Sequence, residues 1–233
     1  MTAHTIAQAF ADAAARLTRG FDQSGDLVAL LLDCTSLLGA ESAGLLVDVP
    51  GEGLALLSST SHTTDVLELY ELQNGLGPCI QAIQDNAEVS ADGAALRDGW
   101  PPVGRAIAGA GYGAVHAFPL RWDDRAVGAL NLFVGHDAGL DQDQRRLGQA
   151  FANMAVAGIA RSRPASWDEI HQRIVALLGD RIAVEQAKGV LAVQNDISLS
   201  DAYTLLVTTA DQQGLPLAEL VGRVVGSARA DQS

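Results

Sequence analysis

The 233-residue chain has little cysteine and no long apolar run. Its two cysteines, Cys34 and Cys79, are too few for a disulfide framework, and they do not have the spacing of a metal site. No run approaches the roughly 20 apolar residues that span a bilayer, and the N-terminus lacks a charged start followed by an apolar signal core. We therefore expect a soluble, cytoplasmic protein without a membrane partner.

Positive charge is also scarce, and lysine most of all. The 28 acidic side chains outnumber the 15 basic ones, and Lys188 is the single lysine of the chain. The formal net charge of −13 argues against a general polyanion binder, because non-specific nucleic-acid affinity comes from clustered cations. Residues 1–160 have a net charge of −11 and residues 161–233 only −2. Any nucleic-acid contact is therefore expected in the C-terminal third.

Catalytic and metal-binding patterns are missing as well. The sequence has no glycine-rich phosphate loop and no nucleophile elbow. Its five histidines do not have the spacing of metal ligands; they are His4, His62, His116, His136 and His171. We expect a protein that is not an enzyme, with no metal and no cofactor.

The first two thirds of the chain alternate between helical and strand-like patterns. Each of the two strand pairs encloses a short turn, as in a hairpin. The predicted helices are residues 2–18, 26–38, 64–73, 78–84 and 141–163, and the predicted strands are residues 43–49, 54–58, 114–122 and 126–134. This order predicts an α+β domain over residues 1–163, with an antiparallel sheet covered by helices on one side.

Most of residues 20–160 resemble a GAF domain, a small-ligand sensor module. The resemblance depends on Gly77-Pro78-Cys79 after an acidic helix, on Phe118-Pro119-Leu120 in one strand and on residues 127–132 in the next. It implies a GAF-like sensor domain that binds a small ligand or mediates dimerisation. Five residues are candidates for the ligand pocket, although the last four suit a half-buried sheet or its loops equally well: Cys79, Trp100, Tyr112, His116 and Asn131.

A second domain is predicted over residues 164–233. Pro164 interrupts the helical pattern, and Ser166 with Glu169 forms a capping-box signature for a new long helix. The apolar side of this helix changes near Gly179, so its two halves should bury opposite faces. We expect the first half to pair with the same helix of a second copy, which predicts a homodimer. The predicted dimer interface consists of Trp167, Ile170, Ile174 and Leu177.

Two shorter helices complete an all-α, three-helix domain. Ser198 with Asp201 marks the start of one, and Pro216 opens the other. The segment at residues 181–191 (RIAVEQAKGVL) and the helices after it resemble an ANTAR module, the RNA-binding domain of bacterial transcription antitermination regulators. The resemblance implies a dimer that binds paired RNA stem-loops.

The candidate RNA contacts lie on the polar face of the long helix and in the last helix. Lys188 and Arg181 are expected to contact phosphate, and Asn195 a base edge. The alternative for Lys188 is a solvated helix face on which it pairs with Glu185 three residues earlier. The full set of candidates is Arg181, Lys188, Gly189, Asn195 and Arg223.

Three functions follow from these patterns. The first is a dimeric, ligand-sensing antitermination regulator that binds RNA. The second is a thiol redox sensor or reductase, in which the N-terminus of the helix at Pro78 lowers the pKa of Cys79 and Cys34 is the resolving partner. The third is a dimeric protein-interaction module without RNA binding, because residues 211–216 carry no basic side chain.

Overall fold

A five-stranded antiparallel sheet forms the centre of the N-terminal region. The computed structural model describes residues 8, 10–13, 15, 23–49, 51–135, 139–160 and 166–230. The strands lie in the order β2-β1-β5-β4-β3. They are β1 (Ser42–Val49), β2 (Gly53–Ser59), β3 (Val89–Asp92), β4 (Ala114–Trp122) and β5 (Arg125–Val134). The two predicted hairpins are therefore confirmed, and they meet where β1 pairs with β5.

Helices cover both faces of this sheet, so the prediction of a sheet covered on one side is wrong. One face packs on α1 (Gln23–Leu38) and α6 (Gln142–Ala160) in the largest hydrophobic cluster. The helices on the other face are α2 (His62–Asn74), α3 (Pro78–Asp85), α4 (Gly93–Gly99) and α5 (Pro101–Gly109). Strands β1, β4 and β5 are buried at nearly every position. They therefore lack the alternation of buried and solvent-exposed residues that a sheet covered on one side shows.

The segment between α3 and β4 holds three elements that the sequence patterns did not predict, namely β3, α4 and α5. Two local signals for them exist. The Asp92 side chain caps α4 by accepting hydrogen bonds from the backbone N–H groups of Ala94 and Ala95. Pro101 stands in the first turn of α5, where its missing N–H is harmless.

Three helices form the C-terminal region: α7 (Trp167–Asn195), α8 (Leu199–Gln213) and α9 (Leu217–Ala230). The predicted capping box at Ser166 and Glu169 is present. The second half of α7 packs with α8 and α9 in a separate cluster, which Val28 of α1 also joins. The predicted boundary at residues 163–164 lies outside the described residues, as does much of the predicted helix at residues 2–18. Within the described part of the chain, no helix combines the length and the apolar character that a bilayer span requires.

Candidate functional site

The polar face of α7 carries the two candidate phosphate contacts, Arg181 and Lys188, which we call the basic pair. Helical spacing places both beside Glu185. Arg181 Nη2 lies 3.1 Å from Glu185 Oε1, and Lys188 Nζ lies 2.9 Å from Glu185 Oε2. The predicted pairing of Lys188 with Glu185 is therefore present in the structure.

The basic pair is not a solvated face, because α2 of the N-terminal region covers it. Lys188 Nζ lies 2.9 Å from Asp65 Oδ2, and Arg181 Nη2 lies 2.8 Å from Asp65 Oδ1. One carboxylate thus holds both cations, and the Lys188 side chain is 0% exposed. Burial alone would raise the pKa of Asp65, but Arg181, the Ser59 hydroxyl and Lys188 together hold it below its ordinary value.

Tyr203 of α8 completes the contact between the two regions. Its hydroxyl donates a 2.6 Å hydrogen bond to the carbonyl oxygen of Ser59, at the end of β2. Lys188 Nζ lies 5.2 Å from the centre of the Tyr203 ring, within cation–π range. Burial raises the pKa of Tyr203 above its ordinary value, and the Asp65 charge adds to this effect. The hydroxyl therefore stays a neutral donor.

A second polar cluster lies between α2, α3 and the sheet. We call Glu68, Glu71, Cys79 and Asn131 the buried acidic cluster. Asn131 Nδ2 donates to Glu68 Oε1 and Oε2 at 2.8 and 3.0 Å, and Cys79 Sγ lies 2.7 Å from Glu71 Oε2. Burial raises the pKa of both carboxyl groups, and the neighbouring Glu71 raises that of Glu68 further. Among the described residues, Glu71 Oε1 and Asn131 Oδ1 have no hydrogen-bond partner.

Two glycines make room for these carboxyl groups. A Cβ atom at Gly44 in β1 would collide with the Glu68 side chain, and one at Gly77 would collide with Glu71. Gly77 also has a φ of 154°, in the region that favours glycine. The Gly77-Pro78-Cys79 segment therefore admits Glu71 beside the start of α3.

Comparison with known proteins identifies the C-terminal region. Residues 173–225 match the ANTAR domain family. No curated protein sequence matches the chain. The N-terminal region is similar to solved GAF domains.

Two of these structures are GAF domains of phosphoenolpyruvate-protein phosphotransferases. The one from Acinetobacter has 8% identity and a TM-score of 0.54, and the match covers 71% of this chain and 98% of that chain. The one from Coxiella burnetii has 13% identity and a TM-score of 0.54, with 70% and 97% covered. The phycoerythrobilin-bound GAF domain of a cyanobacterial phytochrome has 12% identity and a TM-score of 0.50, with 67% and 95% covered. Such low identities show a shared fold alone.

The chain joins a GAF-like domain to an ANTAR domain. The basic pair and Tyr203 belong to the ANTAR domain, and Asp65 and Ser59 to the GAF-like domain. The ion pairs around Lys188 therefore connect the two domains.

The five candidate RNA contacts do not form one surface. Asn195 is exposed, and its amide donates to the Leu191 carbonyl oxygen of its own helix. Arg223 is exposed on α9 and pairs with Glu219 at 2.6 Å. Apart from the backbone of its own helix and its chain neighbours, no described atom lies within 4 Å of where a Cβ of Gly189 would stand, so nothing there requires a glycine. The structure brings together only Arg181 and Lys188 of this set.

The predicted dimer residues lie in the core of their own chain. Ile170, Ile174 and Leu177 are 0%, 0% and 3% exposed in the cluster formed by α1, α6 and the sheet, and Trp167 packs at its edge. The expectation that this stripe faces a second copy is corrected, because the GAF-like domain covers it. The homodimer stays a prediction, and it requires another surface.

The predicted ligand pocket is divided between both faces of the sheet. Cys79 and Asn131 meet in the buried acidic cluster, and Trp100 packs near Tyr112 in the neighbouring apolar cluster. The ring nitrogens of His116 lie 2.8 Å from Ser90 Oγ and 3.3 Å from the backbone nitrogen of Leu140, on the side of α6. Burial lowers the pKa of His116 to about 4. Sequence patterns missed Glu68 and Glu71, although both stand on the acidic helix before Gly77.

The predicted thiol activation is wrong. Burial raises the pKa of the Cys79 thiol, and the Glu71 and Glu68 charges raise it further, which outweighs the helix N-terminus. Burial also raises the pKa of Cys34. The two thiols belong to different clusters on opposite faces of the sheet, so Cys34 does not lie where a resolving partner would have to.

Proposed function

We propose that this protein is an RNA-binding transcription antitermination regulator, and that its ANTAR domain uses the basic pair on α7 to contact structured RNA with paired stem-loops. The ANTAR match over residues 173–225, which includes both cations, carries the proposal. A guanidinium and an ammonium about two helical turns apart on one helix face suit neighbouring phosphates of one strand. Unstacked loop bases then supply specificity to nearby polar groups such as the Asn195 amide.

The sparse positive charge sets the expected strength of binding. Residues 161–233 have a net charge of −2, so few phosphates can be neutralised. With two phosphate contacts, the logarithm of the binding constant should fall with the logarithm of salt concentration at a slope of about −1.5, compared with about −10 for strongly basic DNA-binding proteins. Affinity would depend more on loop shape than on charge.

The GAF-like domain is proposed to sense a small ligand at the buried acidic cluster. Asn131 Oδ1 is a buried acceptor and Glu71 Oε1 a buried carboxyl oxygen, both without a described partner, and unsatisfied polar atoms of this kind favour a ligand that forms hydrogen bonds with them. A small primary amine or guanidine has that chemistry. Thermal melting with a panel of such compounds should show stabilisation that is lost in Asn131→Ala.

The first prediction concerns the basic pair. In titrations of the full chain with a two-stem-loop RNA across salt concentrations, Lys188→Met and Arg181→Met should each make the salt slope shallower by about 0.7, which is half of the wild-type slope, because each removes one of the two phosphate contacts. The slope is the informative quantity, since it counts contacts. Arg146→Met, on α6, is the matched control, because its side chain is 70% exposed and pairs with Asp143 in the same way.

Absence of RNA binding at low salt, or equal slopes for the wild type and Lys188→Met, would contradict the proposal. The first of these results would favour the protein-interaction module instead. That alternative is consistent with the lack of basic side chains at residues 211–216 between α8 and α9. The thiol redox alternative has less support, since burial keeps Cys79 protonated.

A further inference from the structure

The surface proposed to bind RNA is already occupied by an acidic side chain of the same protein. Asp65 on α2 accepts from Lys188 Nζ at 2.9 Å and from Arg181 Nη2 at 2.8 Å. These are the distances of charge-assisted hydrogen bonds, and a phosphate oxygen would use the same donors. Lys188 is fully buried and therefore cannot reach RNA while this contact is made.

We propose that Asp65 is an intramolecular competitor of RNA: the described structure is a closed state, and RNA binds only after α7 separates from α2. The inference rests on the proposed function, since it assumes that the basic pair contacts RNA. In the closed state one carboxylate stands in for phosphate. In the open state the basic pair and the face of α8 that bears Tyr203 are exposed together.

The contact between the domains combines polar bonds around Asp65 with apolar packing, because Val28 of α1 joins the core of the ANTAR domain. Besides the ion pairs it contains the Tyr203 to Ser59 hydrogen bond and a small cavity lined partly by Leu57, Arg181 and Tyr203. Buried ion pairs add little net stability, because desolvation offsets most of the attraction between the charges. Exchanging these buried pairs for solvated ones therefore costs modest free energy, and opening also exposes Val28.

Helix α2 also connects this contact to the sensor cluster. Asp65 and Glu68 are three residues apart and lie on the same buried face, with Glu71 one turn further on. Asp65 faces the ANTAR domain, whereas Glu68 and Glu71 face Asn131 and Cys79. A ligand that repositions Glu68 or Glu71 would therefore move α2, the helix whose Asp65 binds the basic pair.

The single lysine offers a direct test that does not involve RNA. An amine-reactive ester can label only Lys188 and the α-amino group of the chain, and intact-protein and peptide mass spectrometry separate the two products. In the wild type, Lys188 should react at least tenfold more slowly than in the same protein unfolded in guanidinium chloride at the same pH, because an α-amino group has a lower pKa and reacts faster than any lysine. In Asp65→Asn its rate should rise several-fold. Asp98→Asn, an exposed carboxylate on α4, makes the same charge change away from the contact and should leave the rate unchanged.

The same three proteins are then titrated with the two-stem-loop RNA. Asp65→Asn should bind on the order of tenfold more tightly than the wild type, because the apparent Kd is the intrinsic Kd divided by the open fraction. Asp98→Asn should bind like the wild type. Tyr203→Phe removes only the hydrogen bond to Ser59, so it should raise the labelling rate of Lys188 and the RNA affinity by less than Asp65→Asn does. It replaces Asp65→Asn as the test variant if Asp65→Asn does not fold.

The outcomes separate the two proposals. Rapid labelling of Lys188 in the wild type would overturn the closed state and leave the proposed function intact. Faster labelling of Asp65→Asn without tighter RNA binding would overturn the competition. If no variant binds RNA although labelling responds to Asp65→Asn, the proposed function fails and the contact is only a domain interface.

Discussion

At the scale of single residues, the GAF-like domain buries two carboxyl groups that favour their neutral form. Burial raises the pKa of Glu71 above its ordinary value of 4.5, and the hydrogen bond with Cys79 offsets this only in part. The folded state therefore holds a proton that the unfolded chain releases. Stability from this group is complete below pH 4.5 and is lost as the pH rises through the folded pKa.

Glu71→Gln should remove this dependence, because the amide keeps the shape of the neutral acid without its ionisation. Denaturant unfolding of wild type and variant should give similar free energies near pH 4.5, and the variant should become increasingly more stable toward pH 8. Glu41→Gln, at a carboxylate that is exposed, is the control. A constant difference between wild type and Glu71→Gln across this range would contradict the raised pKa.

Lys188 shows how far sequence reasoning extends at this scale. Helical spacing correctly placed it beside Glu185, because that pair is three residues apart. Asp65 is 123 residues away along the chain, and no local pattern relates the two positions. The same limit applies to Glu68 and Asn131, which are 63 residues apart. Sequence patterns identified the basic pair as a functional candidate but could not show its partner.

At the scale of elements, the hairpins and long helices were predictable because alternation, turn residues and capping signatures are local. The prediction failed between residues 89 and 109, where a four-residue strand and helices of seven and nine residues are too short for a period to show. The sequence patterns also missed that helices cover the second face of the sheet. Which helices reach that face depends on the path of the connections, and a local pattern does not contain that path.

The approach of β1 to β5 gives a test of the sheet. A Cβ atom at Gly128 in β5 would collide with the backbone carbonyl oxygen of Leu46, which a side-chain rotation cannot relieve. Gly128→Ala should therefore destabilise the protein by about 1–3 kcal/mol. Gly222→Ala on α9 is the matched control: outside the backbone of its own helix and its chain neighbours no described atom lies within 4 Å of the added Cβ, so the better helix former should stabilise the protein by about 0.5–1 kcal/mol.

Urea unfolding of both variants measures the two effects. The control is informative because either substitution reduces the entropy of the unfolded chain by a similar amount. Equal stability changes of the two variants would mean that β1 and β5 do not approach each other as the structure has them.

At the scale of the whole molecule, α7 belongs to both domains. Its first half packs into the core of the GAF-like domain and its second half into the ANTAR core. The change of apolar side at Gly179 was visible in the sequence. The packing partner of each half could not be predicted, because an apolar stripe can pack against a second copy as well as against another part of its own chain. A cut at residue 164 would therefore expose Ile170, Ile174 and Leu177.

Packing of the first half of α7 within its own chain and packing against a second copy predict different unfolding behaviour. Because Ile174 is 0% exposed within one chain, Ile174→Ala should lower the free energy of unfolding by about 2–5 kcal/mol, and it should not change how the melting temperature depends on protein concentration. Val175→Ala, next to it and 54% exposed, should change stability by less than about 0.5 kcal/mol. If instead the wild-type melting temperature rises with concentration and Ile174→Ala abolishes that rise, Ile174 lies between two copies, as a dimer helix requires.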